Sequence, residues 1–193
     1  MTLDADLAAL REGLAWVDRH DRGFVTVTGP DTFSFLQAIV SADLDPLADG
    51  DAVHSLLLAP QGKLDVDFRL LRVGADEAWL DCAAGLAPRL AESLTRFRIR
   101  VQADIVDRTG GLGMLSHIGA GDGDAALIDA VPAGVHRIDT AWGFDLVGPR
   151  AALEVVLPGV SPVVDPIAYD AWRIERAIPV QPADVDDTTI PQE

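Results

Sequence analysis

The segment LLLAPQGKLDVDFRLLR, residues 56–72, constrains the fold more than any other part of the chain. Two apolar runs flank a short turn at Gln61-Gly62, a pattern typical of a β-hairpin. Side chains alternate along a strand, so the second run has two faces. The apolar face carries Leu64, Val66, Phe68 and Leu70, and the charged face carries Asp65, Asp67 and Arg69. The segment therefore predicts two antiparallel strands, with Lys63, the single lysine of the chain, at the turn.

Patterns on either side of this hairpin predict an α+β protein. The first part of the chain shows a helix at 4–17 (Leu7, Leu10, Leu14, Val17), strand 24–29, a helix within 29–40, the hairpin, strand 77–82, helix 85–97 and strand 99–107. A related order follows, with strand 112–119, a helix near 123–131, strands 135–140 and 143–148, and helix 149–157. We therefore predict two ferredoxin-like lobes, each an antiparallel sheet with flanking helices.

The predicted domain boundaries follow from these two patterns. We place an N-terminal helix, residues 1–22, against the second lobe; the first lobe covers residues 23–107 and the second covers 108–193. Ligands commonly bind in clefts between lobes, so we expect the site there.

Composition excludes several classes of function. The net charge is −16 and the isoelectric point is near 4.4, which disfavours direct binding of nucleic acid or anionic lipid. No stretch approaches the roughly 18 apolar residues of a membrane span, and the N-terminus is charged, so we expect a cytoplasmic protein. The lone Cys82 predicts a small buried residue, and four dispersed histidines predict no metal site.

Asp67 has two interpretations. It is either part of an ordinary solvated strand face, with Arg69 pairing a carboxylate, or it faces a cleft and binds a nitrogen heterocycle or takes part in proton transfer. Lys63 is a candidate anion contact, or simply an exposed turn residue. The segment RFRIRV places Arg96, Arg98 and Arg100 on one face if it is extended, which predicts either an anion site or a solvated face.

The segment VDPIAYDAWRIERAIPV, residues 164–180, predicts a helix with Asp165 as N-cap and Pro166 in its first turn. Helical spacing predicts that its buried stripe is Ile167, Ala171, Ile174 and Ile178. Glu175 lies about 60° from the centre of that stripe and should be half desolvated. Such a glutamate either forms a salt bridge with an arginine or accepts hydrogen bonds from a ligand.

Four separated segments resemble a known family. VTGPDTFSFLQAIVSADL, LLLAPQGKLDVDFRLLRV, WRIERAIP and TIPQE, taken in this order, look like the folate-binding YgfZ family, which is related to the glycine cleavage T-protein, an aminomethyltransferase. The resemblance implies a tetrahydrofolate site in a T-protein type of fold. It implies that Asp67 and Glu175 contact the pterin and that His54 lies beside the site. We add Lys63 as a candidate contact because of its charge and its position at the turn.

The chain also departs from the resembling families. T-proteins have two adjacent acids in the hairpin strand, whereas Val66 precedes Asp67 here. YgfZ proteins continue past TIPQE into a signature containing a cysteine and into a C-terminal β-barrel, so we expect this chain to be a fragment of a longer protein without the barrel.

Three functions follow from the resemblance. The first is a YgfZ-type accessory protein that binds tetrahydrofolate or a derivative, supports iron-sulfur client proteins and has a role in tRNA modification, with no catalytic residue and no metal. The second is a folate-dependent aminomethyltransferase in which Asp67 is catalytic. The third is a scaffold without a ligand.

Overall fold

The computed structural model describes residues 2–119 and 131–191, which form two compact units. The hairpin unit combines residues 21–109 with 180–191, and the helix-pair unit combines residues 2–20 with 110–119 and 131–179. Within the described residues each unit holds a five-stranded sheet with flanking helices. The predicted α+β class with two sheet-and-helix lobes is therefore confirmed.

The elements are numbered along the described chain. They are α1 (Leu3–Glu12), β1 (Ala15–Asp18), β2 (Arg22–Thr28), α2 (Thr32–Gln37), β3 (Ala52–Leu58), β4 (Leu64–Gly74), β5 (Glu77–Ala83), α3 (Ala87–Phe97), β6 (Asp104–Asp107), β7 (Leu112–Ile118), β8 (His136–Thr140), β9 (Gly143–Pro149), α4 (Arg150–Val156), β10 (Val163–Val164) and α5 (Pro166–Glu175). The helix predicted near residues 123–131 falls almost wholly outside the described residues. No described helix is long and apolar enough to cross a membrane.

The hairpin unit has the strand order β3-β4-β5-β2-β6, with every neighbouring pair antiparallel. Alternation along β4 buries Val66 and Phe68 in the core, where α3 contributes Leu90 and Leu94. Burying an apolar side chain of this size stabilises the fold by about 1.5–3 kcal/mol. The predicted hairpin is confirmed, and Leu56 of β3 lies opposite Asp67 of β4.

The helix-pair unit has the strand order β10-β1-β7-β9-β8. Helix α1 packs against α5, and Leu10, Ala168 and Trp172 belong to one buried cluster. The pair β1–β10 is parallel, so this sheet is mixed rather than purely antiparallel as predicted. Asp165 caps α5 by accepting a hydrogen bond from the Ile167 backbone N–H, as the sequence predicted.

Two predictions about helices in this unit are wrong. Helix α1 ends at Glu12 because Gly13 adopts a left-handed conformation with φ of 72°, which places Val17 in strand β1 and not in the helix. The predicted stripe of α5 is also wrong, since Ile167 and Ile174 are exposed. The helix instead buries Ala168 and Trp172, because the indole offers the larger apolar surface and lies one turn from the small alanine.

The predicted row of arginines is not formed. Helix α3 continues through Arg96 to Phe97, and β6 begins only at Asp104. Arg98 follows the helix and donates a hydrogen bond to the carbonyl of Ala103, while Arg100 has a φ of 59°. The segment is not extended, so its arginines do not share a strand face.

Residues 180–191 belong to the hairpin unit, whereas the sequence-based division grouped them with the second lobe. The backbone N–H of Leu64 donates to the carbonyl of Thr189 over 2.9 Å. This segment lies along the first half of β4. That half has no partner in β5, since the β4–β5 ladder begins at Arg69.

Candidate functional site

Asp67 lies on the face of β4 opposite the core, and its side chain is 23% exposed. The imidazole Nε2 of His54, on the neighbouring strand β3, pairs with its carboxylate. His54 lies opposite Arg69 in the ladder, so His54 and Asp67 are diagonal neighbours on one sheet face. Hydrogen bonding to Asp67 raises the pKa of His54, which favours the imidazolium form. The structure thus brings together two of the four residues that the sequence indicated.

A buried ion cluster lies next to this pair on the same sheet. Asp81 of β5 receives hydrogen bonds from Arg69 Nε at 2.9 Å and from Arg22 Nε at 3.0 Å. Burial alone would raise the pKa of Asp81, but the two guanidinium groups outweigh it and hold the pKa below its usual value. Asp81 therefore shares its single negative charge between two arginines, while Asp67 is paired with a histidine.

The two residues before Asp67 do not add a second reactive carboxylate. Val66 is fully buried in the core. Asp65 accepts hydrogen bonds from Arg89 Nε at 2.7 Å and from Ser93 Oγ at 2.8 Å, both on α3. The adjacent acid pair of the T-protein pattern is therefore absent, and Asp65 is held by the helix.

The side chain of Gln181 forms two hydrogen bonds with the backbone of strand β4. The Asp67 backbone N–H donates to Gln181 Oε1 over 2.8 Å, and Gln181 Nε2 donates to the Asp65 carbonyl over 3.1 Å. Gln181 is only 3% exposed, so water competes little for these bonds. Its amide completes the hydrogen bonding that β5 does not supply at this point of β4.

Lys63 and Glu175 are not part of the His54–Asp67 pair. Lys63 is exposed at the hairpin turn. Glu175 ends α5 in the helix-pair unit, whereas Asp67 belongs to the hairpin unit, so the two acids of the sequence hypothesis come from different units. Whether both contact one ligand stays a prediction.

The expectation that Glu175 is half desolvated is wrong. Its side chain is exposed and forms a bidentate pair with Arg11 of α1, in which Arg11 Nε donates to Glu175 Oε2 over 3.0 Å. Hydrogen bonding from Arg11 lowers the pKa of Glu175. Of the two interpretations from sequence, the salt bridge with an arginine is the one that the structure contains.

Cys82 is fully buried in the core of the hairpin unit, as predicted. Burial raises the pKa of its thiol to about 12. Among residues 2–119 and 131–191, no group of three or more His, Cys, Asp or Glu side chains is arranged to hold a metal ion.

Sequence reasoning missed the Asp81 cluster and Gln181. A signal for Asp81 was present, because an aspartate within the apolar strand EAWLDC needs a partner when it is buried. Gln181 carried no local signal, since its partners are 114 and 116 residues away in the chain.

Comparisons with known proteins agree with this architecture. The model of the GCVT N-terminal domain family matches residues 2–121. The tRNA-modifying protein YgfZ of Photorhabdus laumondii is 35% identical over 79 residues, which are 41% of this chain and 24% of that protein. An aminomethyltransferase of Chlorobaculum parvum is 34% identical over 76 residues, which are 39% of this chain and 21% of that protein. The matched region thus spans about a quarter of each relative.

A solved structure shares the fold. The glycine cleavage system aminomethyltransferase T of Bartonella henselae superposes with a TM-score of 0.78 at 20% identity, covering 96% of this chain and 58% of that chain. The likeness at this identity concerns the fold alone. With a family match over more than half of its length and the fold of a T-protein, the chain belongs to the GCVT N-terminal domain family.

Proposed function

We propose that this chain is a folate-binding module of the YgfZ type, which acts in the cytoplasm as an accessory protein for iron-sulfur proteins and tRNA modification. Asp67 is the main contact for the pterin ring. The observation that supports this most is the placement of Asp67: its carboxylate lies on the polar face of the sheet, is 23% exposed and is beside an exposed histidine.

The chemistry of the pair suits such a ligand. A carboxylate accepts two hydrogen bonds from adjacent N–H groups, and a reduced pterin ring offers such groups on one edge. His54 is 68% exposed, so its imidazole can move aside when a ligand takes over the Asp67 oxygens. Asp81 pairs with both Arg22 and Arg69 at distances of 2.5 and 2.9 Å, and His54 pairs with Asp67, so a ligand that binds the Asp67 carboxylate has to displace the histidine.

Glu175 is proposed as a second pterin contact and Lys63 as a contact for the anionic tail of folate. For Glu175 to take this role, it must exchange its bonds to Arg11 for bonds to the ligand. Exposed pairs of this kind are weak, so the exchange is energetically accessible.

A thermal-shift titration with folinic acid tests folate binding. At about 100 times the dissociation constant, the ligand should add roughly 2.7 kcal/mol to the free energy of unfolding. Asp67→Asn should abolish most of this gain. Asp49→Asn is the matched control, because Asp49 forms a surface pair with Arg72 of the same strand β4. No folinic acid effect, combined with self-association, would favour the scaffold without a ligand.

Aminomethyl transfer is the second candidate, supported by the relatives named aminomethyltransferase. The buried Val66 beside Asp67 disfavours it. Incubation with tetrahydrofolate and an aminomethyl donor separates the two proposals. Formation of methylene-tetrahydrofolate would make aminomethyl transfer the preferred function.

The accessory role has its own test. A strain that lacks this protein should lose iron-sulfur enzyme activity, and a gene for the wild-type protein, but not for Asp67→Asn, should restore it.

A further inference from the structure

A pocket of about 520 Å³ lies wholly within the helix-pair unit. Its lining includes Arg11, Arg137, Trp142, Trp172 and Arg176. A volume of this size is within the range of sites for small molecules. Three arginines gather here in a chain of net charge −16, and the described lining contains a single acid, Glu12. Arg11 is paired with Glu175 and Arg137 with Asp139, so Arg176 is the arginine of this lining that has no ion-pair partner among the described residues.

Arg176 is held by aromatic rings and not by an acid. Its guanidinium carbon lies 4.8 Å from the ring centre of Trp142 and 5.4 Å from that of Trp172. In the part of the chain that the structure describes, no carboxylate is close enough to form an ion pair with it. Stacking fixes the plane of a guanidinium while leaving its N–H groups free for an anion.

The tryptophans supply a surface for a flat ring. Trp142 is 39% exposed at the tip of the β8–β9 hairpin, and it packs edge to face on the buried Trp172 at 5.8 Å. The indole Nε1 of Trp172 is buried and has no hydrogen-bond partner among the described residues. The exposed face of Trp142 thus meets the arginines in one pocket.

The backbone fixes the position of Trp142. Its carbonyl accepts a hydrogen bond from the Gly119 backbone N–H over 2.8 Å. The next residue, Gly143, has a φ of 146°, and a Cβ atom there would lie 2.1 Å from the carbonyl oxygen of His117. Only glycine allows the hairpin tip to approach β7 this closely, so the aromatic side of the pocket is preformed.

We propose that this pocket binds a small anion that carries a planar aromatic ring, with the ring stacked on Trp142 and the anionic group bound by Arg176. The class includes nucleoside monophosphates; the net charge of the chain disfavours long nucleic acids. This ligand is additional to the proposed folate. Because folate also joins a flat ring to carboxylates, the test has to separate the two.

Isothermal titration calorimetry with adenosine monophosphate, adenosine and inorganic phosphate tests the proposal on the whole chain. We expect adenosine monophosphate to bind, and adenosine and phosphate to bind at least about 10-fold more weakly, because each retains one half of the contacts. Arg176→Gln and Trp142→Leu should each weaken binding of the monophosphate about 10-fold. Arg108→Gln is the control, since Arg108 is exposed and belongs to the hairpin unit.

Absence of monophosphate binding at millimolar concentration would overturn the proposal, and so would equal binding by wild type and Arg176→Gln. Arg176 is on the surface, so this variant decides the matter even if Trp142→Leu does not fold. Displacement of the monophosphate by folinic acid would also overturn it, because the pocket would then belong to folate. Asp67→Asn should keep monophosphate binding, and Arg176→Gln should keep the folinic acid effect, so the two proposals fail independently.

Discussion

His54 on β3 and Asp67 on β4 form a hydrogen-bonded pair across two neighbouring strands of the hairpin unit. The histidine is the more exposed partner, and the carboxylate is the better shielded one. Further charges act on the imidazole: Asp81 favours its charged form and Arg22 disfavours it, while Arg69 lies directly opposite His54 in the ladder. The pKa of His54 therefore depends on several charged groups of this sheet face and not on Asp67 alone.

The first prediction concerns the pKa of His54. Its pKa is raised above the ordinary 6.5, so the pair contributes its full stabilisation below about pH 6.5 and loses it as the pH rises through the raised value. Asp67→Asn should lower the pKa of His54, which an NMR titration of the imidazole measures. Asp49→Asn should leave it unchanged. An identical His54 titration in wild type and Asp67→Asn would contradict the pairing.

The second prediction concerns Asp81. Replacing it with Asn leaves Arg22 and Arg69 without their shared buried charge, which should lower the free energy of unfolding by about 3–5 kcal/mol. Urea denaturation measures the change. Asp139→Asn, which removes a surface pair with Arg137, should stay within about 0.5 kcal/mol of wild type. Equal effects from the two variants would show that the cluster is not stabilising.

The third prediction concerns Gln181. Gln181→Ala removes both bonds to β4 and leaves buried backbone groups unsatisfied, at a cost of about 1–3 kcal/mol. Hydrogen exchange should report the loss at the Asp67 amide in particular. Gln61→Ala, in the exposed hairpin turn, should not alter that amide. If the Asp67 amide exchanges equally slowly in Gln181→Ala and in the wild type, Gln181 does not hold the backbone of β4.

The fourth prediction concerns Arg11, and it rests on the proposed role of Glu175. Arg11→Gln removes the partner that competes for the Glu175 carboxylate, so folinic acid should bind more tightly, by at most about fivefold. Glu175→Gln should weaken binding instead. Calorimetry with folinic acid measures both. If Arg11→Gln and Glu175→Gln change the affinity for folinic acid in the same way, Glu175 is not part of the proposed site.

The fifth prediction concerns Cys82. Its thiol is fully buried with a pKa raised to about 12, so it should not react with a disulfide reagent at pH 8 in the folded protein. One thiol per chain should react after unfolding in urea. Rapid reaction of the folded protein would mean that the core around Cys82 opens readily.

Local patterns were sufficient for most of the fold. Alternation predicted β4, where every second residue of the first half is buried. Strands β2 and β5 were predicted as strands too, although each buries five consecutive residues. The pattern of α5 misled, because its isoleucines occupy the exposed face while Trp172 faces α1. A helical repeat shows which residues share a face, but the neighbouring element decides which face is buried.

The candidate site was partly within reach of the sequence. Asp67 and His54 stand out by strand position and by resemblance, and their pairing follows from the hairpin register. The hydrogen bond between Asp81 and Arg22 joins residues 59 positions apart in the chain, and the one between Asp67 and Gln181 joins residues 114 positions apart. Contacts at such separations depend on topology, which a single sequence does not encode in any local pattern.

The segment that lies along the first half of β4 has a consequence for biosynthesis. The ribosome releases residues 21–109 long before residues 180–191, yet the two stretches form one unit. During synthesis, strand β4 therefore lacks its partner along the first half of one edge until residues 110–179 have been translated and residues 180–191 follow. Chaperones that shield unpaired strand edges would act on this protein during that interval.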